Sequence, residues 1–332
     1  MNAILDSLKQ TLGPADLKPG TRSTRIKRFI GDYGIILFFA LIVIVLSFSA
    51  PNFMSFENLT NVVRQSSIVG IVAIGMTFVM ITAGIDLSVG SVVGLSGIWF
   101  AILAPSGTNA FWLPLLVGGL VGLLVGVINA SFIVWGKILP FLATLATMAI
   151  ARTAALVSTD GQVVSGLNPA ADWIGSGFIG PVPVPIIIFI VAAIFFDFVL
   201  SRTRFGAHVY AVGGNEESAK KVGISVKKVL FLVYVIGGGL AALGGMVLAG
   251  RLDSAAPVAG TGYELQVIAA VVIGGTSLFG GIGTIRGTFL GVLLLGVVMN
   301  GMNLLGISSY YQQGVQGIIL VLAVMLNRWK SD

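Results

Sequence analysis

Long apolar stretches alternate with short polar ones along almost the whole chain. A membrane-spanning helix needs about 20 mainly apolar residues. Ten segments approach or reach that length: residues 33–50, 66–84, 89–104, 111–135, 138–158, 184–200, 229–250, 265–285, 287–304 and 311–327. The predicted fold class is an all-α polytopic membrane protein of about ten transmembrane helices, some of them short or discontinuous. Between the spans, residues 159–183 are rich in Gly, Pro, Asn and Asp, which predicts an irregular loop or a short interfacial helix. Residues 251–264 form a second loop on the same side. Residues 201–228 are different: a basic, polar segment much longer than a turn requires, which implies that something binds it.

Composition supports this reading. Hydrophobic residues make up 56% of the chain and charged residues 10%, against about 25% charged in soluble domains, and the mean hydropathy is +1.01. The 45 glycines fit helices that approach closely in a bilayer. Gly118, Gly122 and Gly126 recur at a spacing of four, as do Gly287 and Gly291, and read as helix-packing faces. Cysteine is absent, which removes disulfides and thiol metal sites.

The net charge of +6 is sorted by position. Of 19 Lys and Arg, 16 fall in segments alternating to one side: Lys9, Lys18, Arg22, Arg25, Lys27, Arg28, Lys137, Arg202, Arg204, Lys220, Lys221, Lys227, Lys228, Arg286, Arg328 and Lys330. Arg64 and Arg251 fall on the other side, and Arg152 lies within a span. This is the positive-inside bias. It predicts both termini in the cytoplasm, with residues 1–32 as a cytoplasmic segment, 33–327 as the transmembrane domain and 328–332 as a tail. The first apolar run ends in Ala50-Pro51 after a polar lead of about thirty residues, so it is read as a retained helix and not a cleaved signal.

Few polar residues lie in or beside the spans. Asp86, in Gly84-Ile85-Asp86-Leu87-Ser88-Val89-Gly90-Ser91, is costly near hydrocarbon unless satisfied. Two readings stand side by side. Asp86 caps the following helix through the N–H of Ser88 or Val89, or it belongs to a discontinuous helix whose polar lining, including Ser88 and Ser91, touches a solute. Arg152 either lines a wet cavity or pairs with buried acceptors. Thr276 and Ser277 lie in Val272–Thr284, where glycines make a helix break or close backbone packing. Gly274–Thr284 also echoes Gly84–Ser91 as a possible paired break. Asn129, Asn300 and Asn303 are intramembrane amides, suited to bonding between helices or to a solute. These nine residues are the candidate pathway set. No catalytic or metal-binding set is present: there is no HExxH and no GxSxG, and the single His208 lies in the polar segment. Gly136-Lys137 is followed by Ile138, so no Walker A motif exists and this chain holds no ATP site of that type.

Several stretches carry a resemblance: Gly84–Ser91, Ala211-Val212-Gly213-Gly214-Asn215-Glu216, Gly260-Thr261-Gly262-Tyr263-Glu264-Leu265, Val272–Gly281 and Asn300-Gly301-Met302-Asn303-Leu304-Leu305-Gly306. From Tyr33 to Asn327 the chain resembles the permease subunits of bacterial monosaccharide ABC importers of the ribose/xylose/arabinose type, most of all the ribose permeases. Within residues 201–228, Glu217-Ser218-Ala219 with Gly223 has the spacing of the Glu-Ala-Ala-x-x-x-Gly pattern by which such permeases dock their ATPases. Ser218 replaces the usual Ala, and the trailing Ile-x-Leu-Pro of many ABC permeases is missing. The resemblance implies a multi-pass subunit of the bacterial inner membrane that is not itself an enzyme. It implies a partner ATPase using ATP and Mg, a periplasmic sugar-binding protein and a second permease copy. Gly213, Gly214, Asn215, Glu216, Glu217, Ala219 and Gly223 would form the docking surface, and the chain itself would carry no cofactor. Two transport alternatives remain: a stand-alone secondary transporter or facilitator, for which charged residues in the spans are few, and an ABC permease for branched-chain amino acids. An integral-membrane enzyme is disfavoured by the missing catalytic set.

Overall fold

The computed structural model describes residues 22–331, so most of the expected N-terminal segment, with Lys9 and Lys18, lies outside the described residues. Apolar runs become helices α1 (Arg22–Ser49), α2 (Phe56–Ile81), α3 (Val89–Ile102), α4 (Trp112–Val134) and α5 (Pro140–Val157). A group of short elements follows: β1 (Val164–Ser165), α6 (Pro169–Ser176), β2 (Phe178–Ile179) and β3 (Val182–Pro183). Then come α7 (Val184–Arg202), α8 (Arg204–Gly214), α9 (Glu216–Lys221), α10 (Val226–Leu252), β4 (Ser254–Ala255), α11 (Tyr263–Ile273), α12 (Ile285–Leu304) and α13 (Ser309–Ser331). Among the described residues, α2, α4, α5, α7, α10 and α12 are long and apolar enough to cross a membrane. Ile36–Ser49, α3 and α11 are shorter apolar helices.

Helix α10 is the axis of the bundle, packed against α2, α3 and α4. Glycines make the close approach possible. A Cβ on Gly126 would stand 2.9 Å from the Cα of Val235, and one on Gly238 would stand 3.0 Å from the Cα of Gly126. On α2, Gly75 meets the Cα of Gly237 at 2.9 Å on the same test. The glycines at spacing four on α4 therefore do pack helices, and Gly287 and Gly291 do the same against Gly274 and Ala270. The inner part of α2, from Ser66 to Ile81, is wholly buried. Outward faces such as Ile190, Ile194 and Phe198 on α7 remain apolar and exposed, as a bilayer-facing surface requires.

Contacts sort the helix ends into two groups. At the near end, Gly281 N donates to Ile81 O at 2.9 Å, and Arg286 pairs with Asp197 at 3.0 Å. At the far end, Asn58 and Asn300 exchange amide bonds of 3.0 and 2.8 Å. There β1 pairs antiparallel with β4 (Val164 with Ala255), β2 pairs with β3, and Asn168 caps α6 by accepting from Ala171 N at 2.9 Å.

Three boundaries differ from expectation, the first being α1, which starts at Arg22 and not at 33. Helix α2 starts ten residues before the predicted 66, because Ser55 accepts from Asn58 N at 3.2 Å and polar Asn58, Asn61 and Arg64 dilute the apolar count. The predicted span 265–285 is helical only to Ile273; residues 274–284 form a loop with positive φ at Gly275, Gly280 and Gly281.

Candidate functional site

Two short apolar helices of the bundle, α3 and α11, are each preceded by a break, and the breaks bring the chemistry together. The first follows α2. Ala83 takes a left-handed φ of 59°, Gly84 N closes back on Val79 O at 3.0 Å, and the chain runs non-helically to Ser88 before α3 begins. The second precedes α11. From β4 the chain returns into the bundle as residues 256–262, with φ of 74° at Gly260 and 85° at Gly262. The breaks meet: a Cβ on Gly90 would collide with Gly260 O and Glu264 Oε2, and one on Gly94 would stand 2.9 Å from Ala259 O. The starts of two short helices, α3 and α11, thus face each other inside the protein. The echo expected between 84–91 and 274–284 does not describe this pair. Loop 274–284 instead meets Ile81 at the near end.

Around the first break lies a buried polar network. Asp86 Oδ1 accepts from Ser88 N at 2.8 Å and from Ser88 Oγ at 2.6 Å, so the carboxylate closes the turn that starts α3. Asn129 Nδ2 donates to Ser88 Oγ at 2.9 Å, and Thr147 Oγ1 donates to Asn129 Oδ1 at 2.5 Å. Thr144 Oγ1 accepts from Leu87 N at 3.1 Å. One chain of bonds therefore joins the break to α4 and α5. Asp86, Ser88 and Asn129 are each 1% exposed and Ser91 2%, so in this conformation all four are closed to solutes, and the first three secure the broken helix. Asp86 lies beside Gly237, eleven residues along α10 from Val226, about 16 Å from that helix's start. The fully buried Tyr234 hydroxyl sits near Gly84 and has no hydrogen-bond partner.

Arg152 serves the second break. Its Nη1 donates to Pro257 O at 2.5 Å and Ala259 O at 2.9 Å, and the side chain is half-buried. Glu264 Oε1 accepts from Gly262 N at 3.2 Å. A guanidinium is thus spent on backbone carbonyls that a non-helical segment leaves unpaired.

The remaining candidates lie elsewhere. Thr276 and Ser277 are buried in the near-end loop, where Ser277 N donates to Ile282 O at 2.9 Å. Asn300 is taken up by Asn58 at the far end, and Asn303 accepts from Gln312 at 2.6 Å.

The polar segment 201–228 folds as two short helices across the near end. Thr203 caps α8 by accepting from Gly206 N at 3.3 Å, and Asn215 caps α9 by accepting from Ser218 N at 2.7 Å. Val209, Val212 and Ala219 are buried, while Gly214–Ser218 and Lys220–Gly223 are exposed. Gly213 packs so tightly that a Cβ would stand 2.8 Å from Gly281 N and closer still to Ile81 O. Tyr210 donates its hydroxyl to Gly283 O at 2.6 Å. Burial, and then the nearby Asp197 charge, raise the Tyr210 pKa, so it stays a neutral donor. The exposed surface is thereby fixed to both the α2 terminus and the 274–284 loop.

Sequence reasoning missed Thr144, Thr147, Tyr210, Tyr234 and Glu264. Thr144 and Thr147 carried a signal, being hydroxyls three apart and so on one helix face. Tyr210 carried none.

The family model described as "Branched-chain amino acid transport system / permease component" matches residues 58–324. The ribose import permease protein of Bacillus subtilis (strain 168) is 45% identical over 293 residues, 88% of this chain and 91% of its own. That of Haemophilus influenzae (strain ATCC 51907 / DSM 11121 / KW20 / Rd) is 39% identical over 317 residues, 94% and 98% of the two chains. The D-allose transport system permease protein of Escherichia coli (strain K12) is 38% identical over 302 residues, 90% and 92% of the two chains. No solved structure matches the chain.

Proposed function

The chain belongs to the branched-chain amino acid transport system / permease component family, and from that premise we propose that it is the membrane subunit of an ATP-driven importer of a monosaccharide, ribose or another pentose. The observation that carries the sugar over the amino acid of the family's description is 45% identity to a ribose import permease across about nine-tenths of both chains. The protein is a transport subunit and not an enzyme; ATP and Mg are used by a separate cytoplasmic ATPase. A periplasmic binding protein delivers the sugar. A second copy of the chain completes the pathway, which the paired helix breaks at Gly90 and Gly260 border.

The arrangement in the membrane is ten crossings with both termini inside, in the bacterial inner membrane. Six full-length spans support it, together with Ile36–Ser49, α13 and two broken crossings, in which non-helical residues 82–88 and 256–262 complete α3 and α11. Residues 33–327 form the transmembrane domain and 201–228 the ATPase-docking loop, with 1–32 and 328–332 cytoplasmic. The docking residues are Gly213, Gly214, Asn215, Glu216, Glu217, Ala219 and Gly223, on or beside α8 and α9. Asp86, Ser88, Ser91, Asn129, Arg152, Thr276, Ser277, Asn300 and Asn303 remain the pathway set. Of these, Asp86, Ser88, Asn129 and Arg152 act by holding the breaks until partner proteins shift the conformation.

Co-purification with the partner ATPase tests the docking surface. The reading expects the ATPase to be retained by the native chain and lost on Glu217→Arg, with insertion unchanged. Retention by both would refute it.

A further inference from the structure

Near the cytoplasmic end of α7 and α12 lies a groove of about 760 Å³ whose apolar walls have no part in the transport reading, although its mouth borders the docking loop at Ser201 and Arg202. Its walls are apolar: Ile190, Ile194 and Phe198 from α7 face Phe289 and Leu290 from α12. The floor is firm, because buried Phe189 stacks on Phe289 with centroids 4.9 Å apart and planes 13° apart. Its mouth carries the opposite chemistry, in Asp197, Ser201, Arg202 and Arg286. Arg286 gives Nε and Nη2 to one oxygen of Asp197, at 3.1 and 3.0 Å, and no bond uses its Nη1. Its side chain is 80% exposed, against 21% for Asp197. Arg202 is exposed and makes no hydrogen bond or ion pair among the described residues. Two guanidiniums and one carboxylate leave the mouth with an excess positive charge.

We propose that this groove is a binding site for one anionic phospholipid, with an acyl chain between α7 and α12 and the phosphate held by Arg202, Arg286 and the Ser201 hydroxyl. An apolar trough at membrane depth ending in guanidinium donors at headgroup level complements such a lipid. Arg202 has its whole planar fork for phosphate oxygens, while Arg286, held on Asp197, adds its charge and the remaining Nη1. A water-soluble anion would use only the mouth. The site adjoins α8, which begins two residues after Arg202, so the lipid would sit beside the docking surface.

The test uses the full chain in mild detergent, offered equal amounts of dioleoyl phosphatidylglycerol and dioleoyl phosphatidylcholine, with retained lipid counted by native mass spectrometry. One phosphatidylglycerol should be retained in preference to phosphatidylcholine. The Arg202→Gln/Arg286→Gln variant should hold it about thirtyfold more weakly, roughly fivefold for each basic side chain removed near an anionic headgroup. Arg286→Lys should keep most of the retention, and Lys227→Gln, outside the groove, all of it. Ile194→Trp, which fills the exposed apolar wall and leaves both arginines, should lose it. Equal retention of the two lipids by the native chain overturns the proposal, as does undiminished retention by Ile194→Trp. A dimer disrupted by Ile194→Trp with lipid retention unchanged would assign the groove to a second copy instead.

Discussion

Gly213→Ala adds one methyl group where the structure has no room for it. The new Cβ would lie 2.8 Å from both the carbonyl carbon of Ile81 and the amide nitrogen of Gly281, and closer to Ile81 O. These are backbone atoms, joined by the 2.9 Å bond from Gly281 N to Ile81 O, so no flexible side chain can absorb the clash. Overpacking of this kind costs about 1–3 kcal/mol. At about 2 kcal/mol the balance between seated and displaced α8 shifts some thirtyfold. The bulk of the bundle is untouched, so insertion should be normal. Sugar uptake and ATP hydrolysis, measured together in proteoliposomes holding all partners, should separate: transport per ATP falls at least tenfold while hydrolysis persists. Gly214→Ala is the control, since its Cβ meets nothing within 4 Å, and any loss there must come from the partner. Unchanged coupling in Gly213→Ala would refute the idea that α8 acts through Ile81 and Gly281.

Further outcomes follow from the same geometry. Tyr210→Phe removes the 2.6 Å bond to Gly283 O, worth about 1 kcal/mol, and should lower transport per ATP severalfold in the same vesicles with ATPase co-purification unchanged. Asn129→Ala strips partners from Ser88 and Thr147 and should destabilise the protein by about 1–2 kcal/mol, read as earlier loss of fold on heating in detergent. Arg152→Met frees the carbonyls of Pro257 and Ala259. The 256–262 segment should then loosen, and a cysteine at Thr261 should react with a maleimide roughly tenfold faster, the lower range for losing charge-assisted bonds.

Helix existence was legible from apolar run length, since each crossing must satisfy its own backbone. The Asp86 turn was legible in part, because capping through the Ser88 N–H is one of the two readings the sequence leaves open, and Asp86 Oδ1 does accept from that N–H. The second break was not legible. Residues 256–262 carry the Gly and Pro of an ordinary surface loop, and only tertiary contact with Gly90 and Gly94 draws them inward. The 274–284 loop was legible in part: its glycines announced a break, and they do adopt conformations no helix allows, but its flanks are apolar enough that the span was carried through to 285. Asn300 and Asn129 look alike in sequence, yet their partners, Asn58 and the Ser88–Thr147 pair, lie at different depths. Pairings across 18, 41 and 242 residues leave no local signal.

The central claim is that this chain moves sugar only as part of an ATP-driven assembly. Radiolabelled ribose uptake into proteoliposomes tests it, with and without the partner ATPase, the binding protein and internal ATP. The account predicts uptake only when all components and ATP are present. Uptake by this chain alone would contradict it and make the protein a facilitator.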